Sequence, residues 1–219
     1  MSTTTTTPRQ AGLTVGVKRS IGIAVAVIVL LFLVLGTKVV SNDDPLAQGA
    51  GVFDPETFGA DNFPAIQEQV QEQAQAVDVL APAIAADAAA AAEEYAVDSS
   101  GGPVFSVTFT GVFGEGASGI YPVDIDGITG DDLLIRVQTG PAINGTELRD
   151  ATGQLDFGQF TNQIEYQNAA AALNEELKKS VLADIDTASL EGKTVTVTGA
   201  FTLINPAAWL VTPVAVNVQ

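Results

Sequence analysis

The sequence predicts an α+β protein: an N-terminal transmembrane helix, a short helical region, then a small five-stranded β-barrel with a helix between strands three and four. Three observations lead there. Ser20 to Thr37 carries no charge, and twelve of its eighteen residues are Leu, Ile, Val or Phe. Residues 61–98 are rich in Ala, Gln and Glu, which favour helix. From Val104 onward, an alternating run and two short apolar runs set off by Gly- and Asp-rich turns read as strands, and two more strands follow a helical stretch.

A helix rises about 1.5 Å per residue, so the apolar run reaches roughly 27 Å, close to the hydrocarbon thickness of a bilayer. Its large apolar residues favour insertion by roughly 4–7 kcal/mol. Arg9, Lys18 and Arg19 precede it and the acidic residues follow it. Basic flanks are retained in the cytoplasm, so the N-terminus is expected inside and the C-terminal part outside. A cleaved signal peptide, with Val39-Val40-Ser41 as its site, is the competing reading, but its apolar core runs to about 7–15 residues. The expected order is a disordered cytoplasmic tail over 1–19, a single-pass signal anchor in the cytoplasmic membrane over 20–40, and a linker over 41–60. A helical region over 61–98 and the β domain over 104–219 follow.

Within the helical region, Asp61 or Asn62 is placed to cap a first helix with Pro64 in its first turn. Asp78 is placed to cap a second helix that runs to Tyr95. Val104–Phe113 alternates, with Phe105, Val107 and Phe109 on one face. Ile120–Ile125 and Leu133–Val137 are the next strands, joined by the Asp/Gly-rich turn Asp126–Asp132. Asn168–Leu182 sets Leu173, Leu177 and Val181 on one helical face. Lys193–Leu203 and Trp209–Val218 complete the strands, and Pro213 within the last one predicts an edge position or a bulge. Three strands, a helix and two strands is the order of an OB-fold barrel.

Charge divides sharply along the chain. Residues 1–41 hold four basic and no acidic residues; residues 42–219 hold five basic residues and all 26 acids, for a net −17 overall. Nucleic-acid binding draws on clustered Lys and Arg, so no nucleic-acid partner is expected. The chain has no Cys and no His. That excludes disulfides, removes the best zinc ligands, and rules out Cys–His and Ser–His–Asp catalysis by this chain alone.

The stretch Val137-Gln138-Thr139-Gly140-Pro141-Ala142-Ile143-Asn144-Gly145-Thr146-Glu147-Leu148-Arg149-Asp150 is followed by Phe157-Gly158-Gln159-Phe160-Thr161-Asn162-Gln163-Ile164-Glu165-Tyr166. Gly192-Lys193-Thr194-Val195, Gly199-Ala200-Phe201 and Val211-Thr212-Pro213-Val214 come later, and Phe53-Asp54-Pro55 earlier. Together they resemble an uncharacterised bacterial family of predicted periplasmic lipoproteins (domain of unknown function 2291), over most of residues 37–219. The resemblance implies an extracytoplasmic, membrane-attached protein. Members are often encoded beside sugar ABC-transporter components, which implies an accessory role in carbohydrate uptake, with those components or a sugar as partner. It implies no catalytic residues. This chain departs from the family in lacking the Cys that carries the lipid, and the transmembrane anchor is expected to replace it.

Candidate ligand-binding residues are Arg149, Asp150, Asn162, Gln163, Glu165 and Tyr166. Amide side chains such as Asn162 and Gln163 offer paired donors and acceptors that suit sugar hydroxyls, and Tyr166 offers a stacking face. The competing reading has Thr161 or Asn162 cap a helix and Arg149 pin the Gly145–Gly153 loop through a carboxylate. Arg136, mid-strand, is expected to meet a cross-strand charge. Asp124, Asp126, Asp131 and Asp132 crowd a Gly-rich turn, but their spacing misses the EF-hand pattern, and no metal or other cofactor is expected. The functional expectation is a non-enzymatic accessory protein for sugar transport; the alternative is a cell-envelope structural or protein-interaction module.

Overall fold

A computed structural model describes residues 53–130 and 132–219. The expected tail, the membrane anchor, the first part of the linker and Asp131 lie outside the described residues. No helix among the described residues is long and apolar enough to cross a membrane.

Five strands close a barrel: β1 (Val104–Phe113), β2 (Ile120–Asp124), β3 (Leu134–Gln138), β4 (Thr194–Thr202) and β5 (Ala208–Val218). β1 pairs antiparallel with β2, β2 with β3, β5 with β4, and β4 with β1. β3 and β5 run parallel, Leu134 opposite Ala208 through Val137 opposite Val211. The spatial order β1-β2-β3-β5-β4-β1 is an OB-fold barrel. Two short segments, Gln75–Ala76 and Ala96–Val97, cover the edge of β1 that β4 leaves free.

The alternation read in β1 and β4 holds where it faces the barrel interior. Phe105, Val107, Phe109, Val195, Val197 and Phe201 are buried there with Ile135, Val137, Trp209 and Val211. Trp209 stacks on Phe201 at 4.5 Å between ring centroids, and Phe201 on Phe105 at 5.5 Å. The indole N–H donates to Pro206 O at 3.0 Å, so the most voluminous buried side chain leaves no donor unpaired.

A second core lies on the outer side of β1, β4 and β5. Val104, Ala200 and Val214 pack there under helices α1 (Pro55–Gln73) and α5 (Gln163–Leu177), through Phe63, Ile66, Val70, Leu173 and Leu177. Pro213 explains how Val214 reaches it. The register slips between Thr198/Ala215 and Gly199/Pro213, so Val214 is the extra residue of a β-bulge. Its carbonyl accepts from Gln67 Nε2 at 2.6 Å, which ties α1 to the bulge. Pro213 therefore marks a bulge; the edge alternative does not apply, because β5 is paired on both sides.

The helical region departs from expectation in two places. α1 begins at Pro55, inside the stretch read as linker, with Asp54 accepting from Glu56 N and Thr57 N. Asn62 instead donates to Phe58 O, and Pro64 sits mid-helix on the exposed side, where water can reach the carbonyl it leaves free. The single second helix is two, α2 (Val77–Ala86) and α3 (Ala88–Tyr95), broken at Asp87. Asp87 caps α3 by accepting from Ala89 N and Ala90 N, a role that Asp and Asn favour over helix interior. Val77, Leu80, Ile84 and Ala91 from these helices join the barrel core. Likewise α5 starts five residues before Asn168, and its last turn, Lys178–Leu182, widens to a π-helix.

Candidate functional site

The long connection between β3 and α5 carries the candidate residues, and it is built by its own polar side chains. Gln138, at the end of β3, donates to Asn144 O at 3.0 Å and accepts from Asn144 N at 3.1 Å, closing the loop between them. Gln138 also donates to Thr212 Oγ1 at 2.9 Å. The hydroxyls of Thr212 and Thr202 in turn donate to the two carboxylate oxygens of Glu147, at 3.4 and 3.5 Å. Asn174 of α5 donates to Gly145 O at 3.1 Å. Burial pushes the Glu147 carboxyl above its ordinary range, against the hydrogen bonds that lower it.

A one-turn helix, α4 (Glu147–Asp150), then turns Arg149 and Asp150 inward, where each is about 5% exposed. Arg149 Nε donates to Asp150 Oδ1 at 2.7 Å and Nη2 to Oδ2 at 2.9 Å, a fork that delocalised guanidinium geometry suits. Nη1 reaches Tyr166 O at 3.3 Å, and Cζ lies 3.6 Å from the Tyr166 ring centre. Thr146 Oγ1 donates to Asp150 Oδ2 at 2.7 Å, and Tyr166 O–H to Oδ1 at 3.5 Å. The carboxylate that holds Arg149 is thus its own neighbour. Burial and the Asp150 charge raise the Tyr166 phenol, outweighing the lowering by Arg149.

Arg149, Asp150 and Tyr166 come together as one cluster, the ion pair buried and Tyr166 half-buried at its outer side. Asn162 and Glu165 do not join it. Asn162 Oδ1 accepts from Ile164 N and Glu165 N as the cap of α5, and Glu165 Oε2 accepts from Thr161 N. Their roles are those of the capping reading. Gln163, exposed, opens onto a cleft of about 670 Å³ together with Asp98, Ser99, Asp150, Asp156, Phe157 and Tyr166. Phe157 is half exposed and meets the Tyr166 ring edge-on at 5.6 Å. The guanidinium covers one face of Tyr166, so Phe157 is the more accessible aromatic wall. Behind them Phe160 packs on Tyr166, on Phe53 and on Phe58 of α1. A smaller hollow of about 410 Å³ between α1 and α5, beside the Lys179–Glu56 pair, takes in none of the candidate residues.

Arg136 corrects its expectation. Its cross-strand neighbours are Pro122 and Leu210, neither charged, and its buried Nε has no hydrogen-bond partner among the described residues. In the Asp-rich turn, Asp124 accepts from Thr129 Oγ1, which also caps Ile125 N. Among the described residues no cluster of three or more acidic side chains is placed to hold a metal. Sequence reasoning missed Gln138, Glu147, Phe157 and Asp98. Gln138 and Glu147 stood inside the distinctive stretch; Asp98 reaches the cleft from the far side of β1, for which sequence carries no signal.

Residues 27–217 match the family model described as predicted periplasmic lipoprotein (DUF2291). Among solved structures, the crystal structure of an OB-fold protein from Thermotoga maritima matches with a TM-score of 0.61 at 17% identity. The match covers 77% of this chain and 99% of that one, and at that identity it shows the fold. No curated protein matches the sequence.

Proposed function

The chain belongs to the family of predicted periplasmic lipoproteins (DUF2291), and from that premise we propose that it is a non-enzymatic accessory protein of a sugar ABC-transport system. The apolar segment over residues 20–40 holds it in the cytoplasmic membrane with the barrel outside, in place of a lipidated Cys. The observation that carries a ligand role is the cleft, where a half-exposed Phe157, the Tyr166 edge and the Gln163 amide meet beside a rigid Arg149–Asp150 pair. Aromatic walls with a few polar groups fit a sugar ring. Asp150 already accepts from Arg149, Thr146 and Tyr166, which leaves it unsuited to act as a free base. A ligand role belongs to Gln163, Tyr166 and the flanking Asp150, while Asn162, Glu165 and Arg149 shape the wall. The full chain in lipid nanodiscs, titrated with a monosaccharide panel and with the cognate sugar-binding protein, tests this. Binding of either supports the reading; binding of neither overturns it.

A second reading, an envelope interaction module, draws support from the outer face of β2, β3 and β5. Leu134 is exposed there beside Arg136, whose Nε has no partner among the described residues. Capture of a cell-wall component by the full chain, lost in Arg136→Ala, would favour it.

A further inference from the structure

We infer that the cleft takes uncharged and amino sugars and turns away sugar phosphates and sugar acids; this rests on the sugar-binding reading and sharpens it. Recognition of a phosphate or carboxylate calls for a cation with donors to spare. Arg149 is the cation beside the cleft among the described residues, and it is buried with its charge and three of its five N–H donors already engaged. Its Nε and Nη2 are held by the two oxygens of Asp150, its Nη1 by Tyr166 O, and its face by the Tyr166 ring. Its side chain is about 5% exposed. Lys178 and Lys179 are paired with Glu175, Glu56 and Glu176, away from the cleft lining.

The charges that do line the cleft are carboxylates. Asp150 is neutralised by Arg149, whereas Asp98 and Asp156 are exposed and enter no ion pair among the described residues. Asp156 also raises the Tyr166 phenol, which places its field on the aromatic wall. An anionic sugar seated against Phe157 would meet that field with no cation in the cleft lining to compensate it. A neutral sugar meets acceptors for its hydroxyls, and an ammonium group gains from both the acids and the rings.

The full chain in nanodiscs is titrated at low salt with glucose, glucosamine, glucose 6-phosphate and glucuronate. The expected result is that the first two bind at least about tenfold more tightly than the last two. Asp98→Asn with Asp156→Asn is expected to narrow that ratio, and Phe157→Ala to weaken all binding alike. Both aspartates are exposed, so the double variant keeps the fold. Equal or tighter binding of either anion, or a ratio unmoved in the double variant, overturns the inference while the sugar reading stands. Absence of binding by all four sugars overturns the inference and the assignment of the cleft to a sugar, and leaves the transport role to the test with the sugar-binding protein.

Discussion

Arg149 and Asp150 are neighbours in sequence and partners in space, and their burial makes each depend on the other. Removing one partner of a buried pair strands the other charge away from water, at a cost of about 3–5 kcal/mol. Arg149→Ala is therefore expected to lower the unfolding free energy by that order, measured by denaturant titration. Arg149→Lys is expected to recover part of it, since an ammonium can reach one Asp150 oxygen but can neither fork nor lie flat on Tyr166. A loss below about 1 kcal/mol in Arg149→Ala would contradict the geometry. Glu147 gives a pH signature. Its carboxyl is raised by burial, so the folded chain holds a proton that the unfolded chain releases. Its contribution is greatest below the ordinary glutamate value, about 4.3, and is lost as pH rises through the raised folded value. Gln cannot ionise. As pH rises from the ordinary glutamate value through the raised one, the stability of Glu147→Gln is thus expected to gain on wild type, and parallel pH profiles would show the carboxyl to be solvated.

At the scale of elements, apolar alternation in β1 and β4 and apolar runs between turns elsewhere located the five strands to within a residue or so, because inward side chains of a closed barrel all face one core. Helix starts were less legible. Phe53 to Asn62 mixes aromatic, acidic and polar residues, and the reason it is helical is tertiary: Phe58 and Phe63 pack in a core shared with α5. The start of α5 was legible in the capping reading of Asn162 but not in the periodicity, since Gln163 to Gln167 presents few apolar residues. The two helices come close together at Gly59, where an added Cβ would lie 2.7 Å from Ala172 O. Gly→Ala inside a helix ordinarily stabilises by up to about 1 kcal/mol. Here the sign is expected to reverse, and thermal unfolding of Gly59→Ala should show a lower Tm. A rise would mean that α1 and α5 have room to move apart.

For the whole molecule, the barrel order was legible because three strands, a helix and two strands leave few closed arrangements. The cleft was legible in part. Arg149, Asp150 and Tyr166 lay within one distinctive stretch and met; Asn162 and Glu165 lay there too but turned to backbone. Asp98 came from a distant segment, and pairing of that kind follows from topology alone. A transport-accessory role requires the cleft to face outward from the cytoplasmic membrane. The chain has no Cys, so a single thiol reports on one place. Gly158 adjoins Phe157, is exposed, and has open space around an added Cβ. In intact spheroplasts, Gly158→Cys in the full chain is expected to react with a membrane-impermeant maleimide, and more slowly in the presence of glucose or glucosamine. Reaction only after the membrane is broken would contradict the account.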